Sequence, residues 1–313
     1  MDLVTIADVR DAAETVAGRV VRTPLLPCPW HDRLWIKPES LQPVGSFKLR
    51  GATNAVARLA PADRSRGVVT HSSGNHGQAL AFAAAAADVP CTVVIPDGAP
   101  EVKIEAVRRL GAEVLVVPPA RRLAEAERIA ARTGGTLVPP FDDRRIIAGQ
   151  GTIGLEIVAD LPEVAAVLVP VGGGGLASGV ATAVKAIRPQ TAVFGVEPEL
   201  AADARASLAA GELVRWEPEL TYRTSADGLR TTLSELTLAH LRARLDGILT
   251  VTEEEIAAAL RRLVRQGRLV VEPSGAVATA AALFRSADLP GGPTVAVVSG
   301  GNVDPAVLGR ALG

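Results

Sequence analysis

The sequence predicts an α/β protein built on open, mostly parallel sheets with helices on both faces. Short β-branched runs at 67–70, 91–95, 113–117, 166–171, 192–196 and 294–298 alternate with helix-spaced Ala, Leu and Arg patterns at 78–87, 100–110, 123–132, 177–187 and 253–266. Three of the strand runs are nearly all apolar, as strands covered on both faces are. A third observation, the stretch Pro139-Pro140-Phe141-Asp142-Asp143, breaks this rhythm between two sets of units. It predicts two lobes: a small one, 45–142, inserted in a large one of 1–44 plus 143–313.

Bulk properties narrow the function. The chain has 313 residues, 48% of them apolar and only 3% aromatic, so Ala, Val, Leu and Ile must build its core. With 33 basic and 34 acidic side chains the net charge is −1, which attracts neither nucleic acid nor an anionic membrane. Partners are then small molecules or another copy of the chain, as a homodimer. The first twenty residues start acidic and amphipathic, without the basic and apolar regions of an export signal, and no apolar run is long enough to span a bilayer. A cytoplasmic location is expected. Cys28 and Cys91 are too few for a disulfide framework or a metal quartet and read as small buried side chains.

Four segments carry chemistry. Lys48 is one of only four lysines and sits in Gly45-Ser46-Phe47-Lys48-Leu49-Arg50-Gly51-Ala52, ahead of an Ala-rich helix pattern. A lysine desolvated at a helix start has a lowered pKa and can act as a free amine, which arginine cannot. Alone, this segment reads first as a snorkelling lysine at a helix start. Next, Ser72-Ser73-Gly74-Asn75-His76-Gly77-Gln78 joins a strand to a helix, placing amides and hydroxyls where a carboxylate docks. An ordinary N-cap turn is the plainer alternative, but two serines, an asparagine and a histidine exceed what a cap needs. Gly172, Gly173, Gly174 and Gly175 follow another strand and open a helix, leaving unobstructed amides for a phosphate. The same loop meets a loose dinucleotide fingerprint, with Glu197 near the place of a ribose-binding acid, so a nicotinamide-dependent oxidoreductase stays open on this segment. Finally, the run at 294–298 ends in Ser299-Gly300-Gly301-Asn302, placing a hydroxyl at the end of a strand, where ligands bind in open α/β sheets.

Taken together, KPESLQPVGSFKLRGA, SSGNHGQALA, IAGQGTIGLE, PVGGGGLASG, GVEP, SADG, VEPSGA and SGGNVD run in order from Lys37 to Asp304. This set resembles the fold-type II pyridoxal-phosphate enzymes, in the threonine/serine dehydratase and serine racemase branch. The resemblance implies two open sheets and a small lobe inserted in a large one. It implies that Lys48 forms the Schiff base with pyridoxal 5'-phosphate, with Phe47 beside the ring. The phosphate would lie on Gly172, Gly173, Gly174 and Gly175, Asn75 would meet the ring hydroxyl, and Ser299 the pyridine nitrogen. A neutral serine cannot keep that nitrogen protonated as a carboxylate would, which weakens the electron sink and favours β-elimination.

The resemblance further implies a small amino-acid substrate held by Ser72, Ser73, Gly74, Asn75, His76 and Thr231. The reaction would be dehydration and deamination of L-serine- or L-threonine-type β-hydroxy amino acids to a 2-oxo acid and ammonia. Lys48 serves one face of the α-carbon. Ser73 stands where the racemases have the acid of the other face, so serine racemisation is an alternative. So is 3-hydroxyaspartate dehydration, if Arg121 or Arg122 faces the site. A divalent cation site, for Mg²⁺ or Ca²⁺, would use Glu197, the carbonyl of Ala201 and Asp203; two solvated loop acids are the plain alternative. Pro43 and Val44 depart from the residues common before GSFK in the racemases, which puts the entrance to the lysine loop in doubt.

Overall fold

A computed structural model describes residues 2–72, 74–99 and 101–312. Ten strands are present among them: β1 (Leu26–Pro27), β2 (Leu34–Pro38), β3 (Val68–Thr70), β4 (Cys91–Pro96), β5 (Glu113–Val117), β6 (Thr136–Leu137), β7 (Ala166–Pro170), β8 (Ala192–Pro198), β9 (Gly247–Val251) and β10 (Thr294–Val298). They form two sheets. One has the order β1-β2-β10-β7-β8-β9 and is parallel except for β1, which runs antiparallel to β2. The other, β5-β4-β3-β6, is wholly parallel. The fold class read from the sequence is the fold observed.

All six strands read from sequence are present, two of them with the same bounds and four with one end shifted by one or two residues. β7 and β10 are buried at every position, consistent with helices on both faces. Helix Glu253–Arg265 illustrates the other layer. Its capping box joins Thr252 and Glu255, acids fill its first turn, arginines fill its last, and Ile256, Ala259, Leu260 and Leu263 form the buried stripe. No helix among the described residues is long and apolar enough to cross a membrane.

Four strands escaped the sequence reading: β1, β2, β6 and β9. The first and third are two residues long, and β2 reads Leu-Trp-Ile-Lys-Pro, with a charge and a proline in five positions. Helix Arg144–Asp160 also went unread, because Gly149, Gly151 and Gly154 interrupt its pattern. Those glycines are packing features. A Cβ on Gly149 would come within 2.6 Å of the Gly51 Cα, and one on Gly154 within 2.7 Å of the Val180 carbonyl. Helices Lys48–Ala57 and Gly175–Ile187 therefore both lie close against Arg144–Asp160.

A buried ionic cluster fixes the start of the lysine helix. Arg50 is fully buried and grips two carboxylates, Glu39 at 2.7 and 2.8 Å and Glu156 at 2.6 and 2.9 Å. Lys37, also fully buried, donates to Glu156 and to the Thr23 carbonyl, both at 2.6 Å. Burial alone would raise the Glu39 pKa, but Arg50, Thr23 and Lys37 together outweigh it and hold the carboxyl below its ordinary range. Stability from Glu39 is thus present above the unfolded carboxyl pKa and fades as pH falls through the lower folded value. Arg50→Met leaves the buried Glu39 and the part-buried Glu156 with Lys37 as the one cation still in the cluster. It should cost about 3–5 kcal/mol in urea unfolding at neutral pH, with the deficit shrinking in acid as the carboxyls protonate.

Candidate active site

The chemistry-bearing turns meet because three of them leave the C-terminal ends of parallel strands. β3 runs into residues 71–74 and then helix Asn75–Ala85. β7 runs into residues 171–174 and then helix Gly175–Ile187. β10 runs into Ser299, whose carbonyl accepts from the Phe47 amide at 3.0 Å, while Ser46 bridges to Gly300. That bridge sets the start of helix Lys48–Ala57 beside the other two turns.

Between the two sheets' loops lies a cavity of about 330 Å³. Phe47, Lys48 and Ser299 line it, as do Ser72, Gly74, Asn75 and His76. Gly172, Gly173, Gly174, Gly175 and Thr231 complete the set. Of the residues assigned to this site from sequence, all but Ser73 are therefore brought together. Ser73 lies outside the described residues. Glu197, Ala201 and Asp203 do not line the cavity.

Lys48 Nζ lies 4.9 Å from the Phe47 ring centroid and donates to the Pro140 carbonyl at 2.7 Å. No carboxylate pairs with it among the described residues. Burial therefore pushes its pKa down to about 8, near enough to neutrality for a free amine to be populated. His76 donates through Nε2–H to the Val138 carbonyl, 3.0 Å away. Burial, reinforced by the charge of Lys48, pushes its imidazole down to about 3, so it stays neutral beside the lysine.

Both helix starts are open. Gly74 is the N-cap of Asn75–Ala85 and Gly174, at φ +84°, that of Gly175–Ile187, and neither helix has a side-chain cap there. The amides of the first turns are left to whatever the cavity holds, and the helix dipoles favour an anion. The glycines also meet a steric demand, since a Cβ on Gly173 would fall 2.2 Å from the Phe141 ring and one on Gly175 2.9 Å from the Phe141 Cβ. A half-buried amine without an acid partner, two uncapped helix starts and a serine hydroxyl with a single 3.5 Å contact fit an aldehyde cofactor bearing a phosphate.

The family model for pyridoxal-phosphate dependent enzymes matches residues 16–300. The chain belongs to this family. It is 41% identical to an L-threonine ammonia-lyase of Thermotoga maritima, over 99% of this chain and 78% of the relative. It is 40% identical to an L-threo-3-hydroxyaspartate ammonia-lyase of Saccharomyces cerevisiae, over 96% of this chain and 94% of the relative. The structure of maize serine racemase superposes with a TM-score of 0.94 at 36% identity, covering 99% of this chain and 97% of that one. The nicotinamide alternative left open by the glycine loop falls with this assignment.

Several residues of this enzyme's cavity were not singled out in the sequence. His71, Lys103, Asp227, Gly228, Glu272 and Ser274 all line it. Lys103 and Asp227 come from distant segments and pair at 3.2 Å. Of the two arginines considered from sequence, Arg122 reaches the cavity and Arg121 does not.

The three residues read as a cation site lie together elsewhere. Glu197 is the penultimate residue of β8, Ala201 closes the short turn Glu199–Ala201, and Asp203 begins helix Asp203–Ala210. Glu197 accepts from the amides of Ala204 at 3.0 Å and Arg205 at 2.8 Å, so its carboxyl also serves that helix start. Asp203 Oδ2 is buried without a hydrogen-bond partner. Burial raises both acids, Glu197 to about 8 and Asp203 to about 6. Among the described residues no cluster of three or more His, Cys, Asp or Glu side chains could hold a metal, so a site here would draw its third donor from the backbone.

Proposed function

We propose that this enzyme is an ammonia-lyase acting on β-hydroxy amino acids. It takes the α-proton and the β-hydroxyl from the substrate, as water overall, and gives a 2-oxo acid and ammonia once the product takes water back. The observation that carries this is Lys48: a half-buried amine, free of acids, at the rim of a cavity whose other wall is an open glycine loop. Lys48 would hold the cofactor, with its phosphate at Gly172, Gly173, Gly174 and Gly175, its ring beside Phe47 and its polar edge between Asn75 and Ser299. Bound there, pyridoxal phosphate supplies the electron sink that lets the α-carbon give up a proton. Lys48 Nζ takes that proton, and the low pKa set by burial makes the neutral amine available for it. The amides that open helix Asn75–Ala85, with Ser72, Ser73 and Gly74, hold the substrate carboxylate, and Thr231 faces the substrate from the other lobe. By its likeness to the racemases, Ser73 would serve the face of the α-carbon opposite Lys48 in racemisation, a secondary activity in this reading.

A second reading of the substrate is favoured by Arg122. It lines the cavity, and no acid pairs with it among the described residues. Beside the Lys103–Asp227 pair it puts one cation without an acid partner where a β-carboxylate could sit, which supports 3-hydroxyaspartate as a substrate. Two lobes, 45–142 and 1–44 plus 143–313, go with this arrangement, supported by each sheet's falling within one of them. We take the enzyme to be a cytoplasmic homodimer, with Leu220, Tyr222 and Val270 among the exposed apolar side chains available to a partner copy. Glu197, Asp203 and the Ala201 carbonyl would hold Mg²⁺ or Ca²⁺, since the unpartnered Asp203 oxygen is a hard donor of the kind these ions take.

Three experiments test these readings. Lys48→Ala should abolish 2-oxo acid release and leave no borohydride-reducible cofactor, with unfolding of the apoprotein little changed; attachment found at Lys37, Lys103 or Lys185 overturns the assignment. Across serine, threonine and 3-hydroxyaspartate, Arg122→Met should lower kcat/KM for 3-hydroxyaspartate by about 10²-fold while sparing serine; equal losses on all three sink the acidic-substrate reading. Chelation should lower thermal stability, and added Mg²⁺ or Ca²⁺ should restore it. If chelation moves nothing, Glu197 and Asp203 are structural acids.

A further inference from the structure

Glu272 precedes helix Pro273–Phe284 as its N-cap, yet its side chain makes no capping bond. The carboxyl instead lines the cavity, buried. Its Oε1 accepts from Asn75 Nδ2 at 2.7 Å. Asn75 Oδ1 in turn accepts from Asn302 Nδ2 at 2.7 Å, and Asn302 Nδ2 also donates to the Val44 carbonyl at 2.8 Å. The chain Asn302–Asn75–Glu272 thus joins the turn after β10, the start of helix Asn75–Ala85 and the start of helix Pro273–Phe284. The Glu272 amide donates to the Gly300 carbonyl at 3.1 Å, and a Cβ on Gly300 would fall 2.4 Å from Glu272 Oε1. The carboxyl is therefore boxed in on the backbone next to Ser299.

This geometry decides the orientation of one amide. With Asn302 donating to its oxygen and Glu272 accepting from its nitrogen, a flipped Asn75 would set N–H against N–H and oxygen against oxygen. One Nδ2 hydrogen stays committed to Glu272, which leaves the other with a fixed direction. We propose that Glu272 is a positioning residue of the cofactor site, acting through Asn75 to aim the amide N–H that meets the cofactor's ring hydroxyl. This rests on the Lys48-centred reading above. A purely structural role is poorly matched, because the side chain neither caps its own helix nor pairs with a cation within bonding distance. An uncompensated buried carboxylate is costly. Burial and the nearby Asp227 push this one up to about 8, so it accepts from Asn75 largely as the neutral acid.

The test compares Glu272→Gln, which keeps an acceptor, with Glu272→Leu, which does not. The readouts are the cofactor's visible absorption band in the holoenzyme and the cofactor dissociation constant from titration of the apoenzyme. Glu272→Leu should shift the band and weaken cofactor binding by about tenfold or more, while Glu272→Gln stays within about threefold and keeps the wild-type band. An unshifted band and unchanged affinity in Glu272→Leu overturns the proposal, and so does a Gln variant as impaired as the Leu one. If Glu272→Leu does not fold, Asn302→Ala decides from the other end of the chain: a shifted band supports the proposal, and an unshifted one overturns it. Failure of the underlying reading is separately visible, because the wild-type enzyme would then carry no reducible cofactor at Lys48.

Discussion

The Arg50 guanidinium, locked between Glu39 and Glu156, is the contact on which the site's geometry depends. It joins a short turn after β2, the helix that begins at Lys48 and the helix Arg144–Asp160. Ionic groups taken fully out of water repay their desolvation only when every lone pair and proton is engaged, and here Thr23, Thr152, Lys37 and Gln42 complete the set. Two residues before Arg50, the Lys48 amine meets a ring and a carbonyl rather than an acid, and burial there depresses its pKa.

Parallel strands then give the site its shape. Because the turns after β3, β7 and β10 all emerge at strand C-terminal ends, the residues that follow each strand converge. Lys48 joins them from outside the sheets through the bridge between Ser46 and Gly300. One loop supplies a lysine amine, two supply open helix starts, and one supplies a hydroxyl. No single segment could be a site, and each taken alone has an ordinary structural explanation.

That division explains what was legible in the sequence. β4, β5, β7 and β10 are short runs of Val, Ala and Ile bounded by turns, so period and composition marked them. β2 carries a buried lysine whose partners come from residues 23 and 156, and nothing local marks that charge as an interior one. Helix Arg144–Asp160 hid behind glycines that matter only once two neighbouring helices are in place. In the site, Lys48, Asn75, the four glycines and Ser299 stood out because each falls within a turn of unusual composition. Lys103, Asp227 and Glu272 did not, since a charged residue at a helix end or loop looks the same whether it faces water or a cavity.

The segment Pro140–Phe141, which read from sequence only as an interruption, touches both ends of the site. The Pro140 carbonyl holds Lys48, and the Phe141 ring occupies the space that a side chain at 173 would need. Positions 141 and 173 therefore share one fixed volume. Among relatives built this way, a smaller residue at 141 is the condition for anything beyond glycine at 173. The two positions should consequently drift as a pair, even though 32 residues separate them along the chain.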